Sequence, residues 1–222
     1  MTNRMRAQEI ASSHLRVSVV CFRWNGESLE TIITDDLQLP STIPAANETL
    51  DATAERIVKT NVGMAATYIE QLYTFDTVDG EDRETNVSYI ALFPPDAVGS
   101  YSWATASALP DLPNHARQVL DYAFIRLQAK LEYTSIAFHL MPPTFTLAAL
   151  QLAYESILRS PLDKRNFRRR MTTTGMLTAT GEKRREGPHR PAALYRFSGQ
   201  TDRSSYLTPP SSASTDWQET DS

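Results

Sequence analysis

The sequence predicts an α+β fold in two unequal parts, and three observations carry that prediction. The first part alternates β-branched and aromatic runs of period two with one stretch of helical spacing. Residues 114–133, NHARQVLDYAFIRLQAKLEY, repeat apolar groups at Ala116, Val119, Leu120, Ala123, Leu127 and Leu131, which is the clearest amphipathic helix in the chain. Beyond Pro142-Pro143 the pattern changes to two short helices and a basic hairpin.

Each element follows from local chemistry. Leu15 to Trp24 reads as a strand, because Val17, Val19 and Cys21 fall on one face and β-branched residues are in excess. Asn25-Gly26 is a hairpin signal, and SLETIIT returns as the second strand. An irregular stretch from Leu39-Pro40 ends at Asn47. ETLDATAERIVKTNVGM spaces Leu50, Ala54, Ile57 and Val58 as a helix, with Gly63 as its stop. Ala66 to Phe75 and Thr85 to Phe93 are strands, with the acidic segment DTVDGEDRE read as a solvated loop between them. Tyr101 to Thr105 is a further short strand, and the helix at 114–133 closes the first part. Thr146 caps a helix from Leu147 to about Leu158, which Ser160-Pro161 stops. Asp163 caps a second helix, KRNFRRRMTT, ended near Gly175. MLTATGEKRREGPHRPAALYRF then reads as strand, basic loop and strand. These boundaries give a first domain over 1–137, a second over 138–198 and a Ser/Thr-rich tail over 199–222 expected to be disordered.

Composition narrows the function classes. One cysteine in 222 residues leaves no internal disulfide framework and no CxxC metal knuckle. Cys21, on an apolar strand face, reads as a small core residue, and the four histidines show no ligand spacing. No metal and no cofactor are therefore assigned. No run approaches the roughly 18–20 apolar residues of a membrane span, and the polar N-terminus lacks an apolar signal region, so a cytoplasmic chain with no membrane partner is expected. The net charge of −4 conceals a segregation: residues 1–158 hold 10 Lys/Arg against 19 Asp/Glu, whereas 159–203 hold 12 against 4. An acidic body joined to a basic segment points to a nucleic-acid partner for that segment alone.

The basic segment has the layout of a winged helix-turn-helix: helix, tight turn, helix, then a hairpin with a basic tip. On the second helix Phe167 and Met171 lie four residues apart and face the core together. Lys164, Arg165, Asn166, Arg168 and Arg169 are then the candidates to meet the groove of double-stranded DNA. Lys183, Arg184, Arg185 and Arg190, on the loop from Glu182 to Arg190, are the candidates to reach phosphates beside it.

The first part resembles the Nudix fold. The Nudix box, G-x5-E-x7-R-E-aliphatic-x-E-E-x-G-aliphatic, falls on 42–64 without a gap and is matched at Glu48, Arg56, Val58, Gly63 and Met64. Thr42 replaces the first Gly, Ile57 the first helix Glu, and Thr60 and Asn61 the Glu pair. A Mg²⁺ site needs oxygen ligands and usually carboxylates, which Ile57 cannot supply and the neutral Thr60 and Asn61 supply poorly.

The stretches HARQVLDYAFIRLQAKLEYTSIAFHLMPPTFTLAALQLAYESIL, LDKRNFRRRM and RPAALYRF closely resemble the NrtR-type Nudix-related transcriptional regulators. The resemblance implies a Nudix-like α/β/α sandwich followed by an α/β winged helix-turn-helix domain. It further implies a non-catalytic repressor of NAD-metabolism-type genes, a homodimer on a palindromic operator, and an effector such as ADP-ribose or a related nucleotide or sugar. Glu48, Arg56, Arg83 and Tyr89 match family positions near the effector pocket. The family's Leu-Pro-Gly-Gly turn reads Leu39-Pro40-Ser41-Thr42 here. The rival reading is an active Nudix diphosphate hydrolase with an accessory basic domain; a second is an interaction module whose winged helix no longer binds DNA.

Overall fold

The computed structural model describes residues 13–79, 82–185 and 191–199. Strand β1 (Ser13–Trp24) turns through Asn25–Ser28 into β2 (Leu29–Ile32). The Asn25 side-chain oxygen accepts from the backbone N–H of Glu27 and of Ser28 at 2.9 Å each, so the asparagine predicted to make the turn also holds it. Short β3 (Ser41–Thr42) leads to helix α1 (Leu50–Val62), then to β4 (Tyr68–Asp79), β5 (Asp82–Phe93), β6 (Trp103–Thr105) and helix α2 (Asn114–Tyr133). Thr49 caps α1 by accepting from the Ala52 N–H, and Gly63 ends it at φ 73°.

Strand β1 is the centre of the first sheet, whose order is β4-β5-β1-β2-β6, with β3 also paired to β1. It runs parallel to β5 over a register from Ser13–Arg83 to Arg23–Phe93. Alternation along these two strands builds both layers at once. Val17, Val19, Cys21, Val87, Tyr89, Ala91 and Phe93 pack with Ala54, Ile57, Val58 and Val62 of α1. Val20, Phe22, Ile90 and Leu92 pack with Val119, Leu120, Ala123 and Leu127 of α2. The result is a helix–sheet–helix sandwich.

A single 3₁₀ stretch (Ile136–Leu140) then leads to β7 (Phe145–Thr146), α3 (Leu147–Leu158), α4 (Lys164–Thr173), β8 (Leu177–Arg184) and β9 (Ala192–Phe197). The second sheet has the order β7-β9-β8, and with α3 and α4 before its hairpin it makes the winged helix-turn-helix arrangement. The apolar cluster under α2 crosses the 137/138 boundary without a break, from Phe22 and Phe124 through Leu150 and Ile157 to Phe167 and Met171. No helix among the described residues is long and apolar enough to cross a membrane.

Two segments read as loops are strands. The ladder between β4 and β5 continues through the acidic stretch to Asp79 opposite Asp82. Thr77, Val78 and Thr85 suit a pleated backbone, and Arg83 reaches diagonally across to Asp76 at 3.5 Å. In the second sheet Lys183 pairs with Ala193 and Arg184 with Ala192, so both basic residues lie on β8 and not on the loop after it. A bulge between Ala179 and Lys183, with Gly181 at φ 82°, restores pairing after an interruption that sequence alone reads as the strand's end. Arg190 and the tail beyond Gly199 lie outside the described residues.

Candidate nucleic-acid interface and effector cleft

Helix α4 is presented by three local devices. Asp163 accepts from the Asn166 N–H at 2.8 Å and caps the helix. Phe167 and Met171 are buried, and the Phe167 ring meets Tyr154 of α3 edge-on at 5.3 Å. Glu155 of α3 accepts from the Leu162 N–H at 2.8 Å, tying the turn between the helices to α3. With those anchors inward, Lys164, Arg165, Asn166, Arg168 and Arg169 are all exposed, whereas Arg170 is half-buried. Strand β8 exposes Lys183 and Arg184, and Arg185 follows it. Between α4 and the wing lies a groove of about 510 Å³ with an apolar floor of Leu147, Ala192, Ala193 and Tyr195. Arg168, Arg169 and Thr172 wall it. Lys164, Arg165 and Asn166 precede these walls on the same helix. A convex cationic helix beside a basic strand can enter a major groove and neutralise the flanking phosphates.

In the first half, three of the four expected effector residues come together around the start of α1. The Glu48 carboxylate accepts from Arg56 Nε at 2.7 Å and Nη2 at 2.6 Å, from the Ala45 N–H at 3.1 Å and from Thr53 Oγ1 at 2.9 Å. The Arg56 bonds first, then the Ala45 amide, hold Glu48 down to about 2. Tyr89, buried on β5, donates to Asp51 Oδ1 at 2.5 Å; burial and that carboxylate push its phenol well above the ordinary range. Arg83 does not join them. It stands six residues before Tyr89 on the same strand, about 20 Å away at the rise of an extended chain.

The residues that fall on the metal positions of the Nudix pattern do not fit a divalent cation. Ile57 is buried among the α1 core, Thr60 is a neutral exposed side chain, and the Asn61 amide donates to the Ile57 carbonyl at 2.7 Å. Among the described residues no three His, Cys, Asp or Glu side chains cluster as metal ligands.

The opposite face of the sheet holds a cleft of about 490 Å³ that sequence reading did not find. Arg16 and Ser18 of β1, Glu84 and Asn86 of β5, Tyr101, and His115 at the start of α2 are among its lining residues. The floor is a hydrogen-bonded knot. Asn86 Nδ2 donates to Ser18 Oγ at 3.0 Å and Ser88 Oγ at 3.2 Å and meets His115 Nε2 at 2.7 Å. Asn86 Oδ1 is buried and lacks a partner. Turning the amide over would exchange the two atoms and leave Nδ2 unpartnered instead, so either orientation leaves one buried polar group without a partner. The sequence signal was available as Ser18, Asn86 and Ser88, polar residues in phase with Val20, Phe22, Ile90 and Leu92 of the same face.

Relatives place these features in a family. A sequence model described as the NrtR DNA-binding winged helix domain matches residues 137–197. The ADPR responsive transcriptional repressor NtrR of Acinetobacter baylyi is 36% identical over 165 residues, covering 69% of this chain and 66% of that protein. The chain thus spans about two thirds of that relative's length. The crystal structure of Shewanella oneidensis NrtR complexed with a 27mer DNA superposes with a TM-score of 0.73 at 27% identity, covering 88% of this chain and 97% of that one. A MutT/nudix family protein from Enterococcus faecalis shares the fold, with a TM-score of 0.65 at 18% identity, covering 84% and 86%. The chain belongs to the NrtR-type Nudix-related transcriptional regulators.

Proposed function

We propose that this protein is a DNA-binding transcriptional repressor of NAD-metabolism-type genes, released from its operator by ADP-ribose or a related nucleotide. Residues 138–198 form the DNA-reading unit and residues 1–137 the sensing and dimerising unit. The Ser/Thr-rich segment 199–222 lies beyond them. The protein acts as a homodimer on a palindromic operator in the cytoplasm, because one winged helix reads only one half-site. The observation that carries this reading is helix α4, capped by Asp163 and pinned by Phe167 and Met171, with Lys164, Arg165, Asn166, Arg168 and Arg169 left exposed. The relative named for its ADPR response supplies the effector class.

The effector enters the cleft between the sheet and the start of α2. A ligand rich in hydroxyls and phosphates suits Arg16 and His115 above the Ser18–Asn86 floor, and it would draw Arg16 from Glu84, now 3.4 Å away. Hydrolysis is not expected, since Ile57, Thr60 and Asn61 offer no carboxylate for Mg²⁺.

The experiment is retardation of a duplex carrying the promoter upstream of the protein's own operon, with and without ADP-ribose. Binding to that duplex over random DNA, weakened by ADP-ribose, is expected. Equal affinity for both duplexes would end the repressor reading. Loss of the ADP-ribose response in Asn86→Ala and its retention in Arg56→Ala places the effector in the cleft; the reverse places it at the start of α1. ADP-ribose incubated with the protein and Mg²⁺ should remain intact.

A further inference from the structure

We infer that Arg159, with Gln128, is the latch through which occupancy of the effector cleft reaches the recognition helix. The inference rests on the effector reading above and adds the route of communication. Helix α2 is present at both ends. Its first residues, His115 and Ala116, line the cleft, and His115 is bonded to Asn86. Its twenty residues span about 30 Å. Its buried stripe of Ala116, Val119, Leu120, Ala123, Leu127 and Leu131 packs along the sheet without interruption. A close-packed helix of this kind moves as a body, so displacement at one end reaches the other.

At that other end α2 holds the C-terminus of α3. Gln128 Nε2 donates to the Ile157 carbonyl at 2.8 Å, satisfying one of the acceptors that a helix end leaves open. The Arg159 guanidinium lies 4.2 Å from the centre of the Phe124 ring. Arg159 does this from a left-handed backbone, φ 55° and ψ 30°, a conformation that costs a non-glycine residue energy. It is the residue that starts the turn into α4, and Glu155 and Gln151 tie Leu162 of the same turn back to α3. The Tyr154–Phe167 contact then carries α3 onto α4. A strained residue held by a contact from another element is a two-state device: when α2 shifts, the stack on Phe124 opens, Arg159 relaxes and the turn re-aims α4.

The test uses the full chain. Arg159→Gly keeps the left-handed turn without cost and deletes the guanidinium. It should bind DNA and ADP-ribose within about two-fold of the parent. The factor by which saturating ADP-ribose weakens DNA binding should fall about two- to five-fold, the worth of an exposed cation–π contact. An unchanged factor overturns the latch while leaving the repressor reading intact. If ADP-ribose does not bind the parent protein, the effector reading fails, and the latch is judged by amide hydrogen exchange without ligand. His115→Ala at the cleft end should then speed exchange at residues 158–163 several-fold, whereas Ile125→Ala, on the exposed side of α2, should leave it unchanged. Equal exchange in parent and His115→Ala overturns the latch.

Discussion

Glu48 is held entirely by partners from its own chain. In a metal-dependent site a carboxylate beside this helix would serve a cation, whereas here its acceptor positions are taken by Arg56, Thr53 and the Ala45 amide. Those partners depress its pKa to about 2, so the ionised form stabilises the fold. The sign follows directly: the contribution is complete above the ordinary value of 4.5 and fades as pH falls toward about 2. Glu48→Gln should therefore lower Tm at pH 7, and the gap from the parent should shrink between pH 4.5 and 2. A gap that stays constant over that range would show that the carboxylate charge contributes nothing. Cys21 is fully buried, and burial alone pushes its thiol up to about 12. Its reactivity toward thiol reagents should appear only on unfolding.

At the scale of elements, α4 separates into residues that hold it and residues proposed to read DNA. Phe167→Ala should cost about 3–5 kcal/mol of stability and weaken binding to every duplex, because the helix loses its anchor. Arg165→Ala, Arg168→Ala or Arg169→Ala should change stability by no more than about 0.5 kcal/mol. At least one of these three should narrow the gap between operator and random DNA by about 1–3 kcal/mol. The strand and wing behave differently. Lys183→Ala or Arg185→Ala should weaken all duplexes alike and reduce the salt slope by roughly 0.9 for each phosphate no longer neutralised. Binding isotherms on operator and scrambled duplex at several salt concentrations separate the two groups. If all three helix variants weakened equally on both duplexes, α4 would be only a phosphate clamp.

On the scale of the molecule, charge bears on the proposed two-fold assembly. Residues 1–158 are acidic and 159–203 basic, so only the second part is drawn to the duplex. The acidic half is the expected dimer interface, since the basic helices must face DNA. Sedimentation at micromolar concentration should give a dimer before DNA is added, with the wing variants unchanged in mass. A monomer that stays single on operator DNA would contradict the two-fold arrangement. The decrease in salt slope per wing substitution should double in a dimer, which ties the two measurements together.

By itself the sequence determined the pieces whose causes are local. Asn25-Gly26 made the first turn, Thr146 and Asp163 capped their helices, and Gly63 stopped α1. The spacing of Phe167 and Met171 turned α4 so that Arg165, Arg168 and Arg169 face outward, and the helix–helix–hairpin order produced the winged helix. These needed only neighbours within a few residues, which is the range of a cap or a helical turn. Tertiary structure decided the rest. The ladder through Asp76–Asp79 and the bulge that keeps Lys183 in β8 depend on partner strands that local pattern does not reveal. The cleft requires Ser18, Asn86 and His115 to meet across sixty-eight and twenty-nine residues of chain. Arg159 meets Phe124 only because α2 and α3 share one apolar cluster. A site assembled from residues remote in sequence exists only after the chain has closed the loops between them, and no periodicity in the sequence records which of its polar residues will then share a floor.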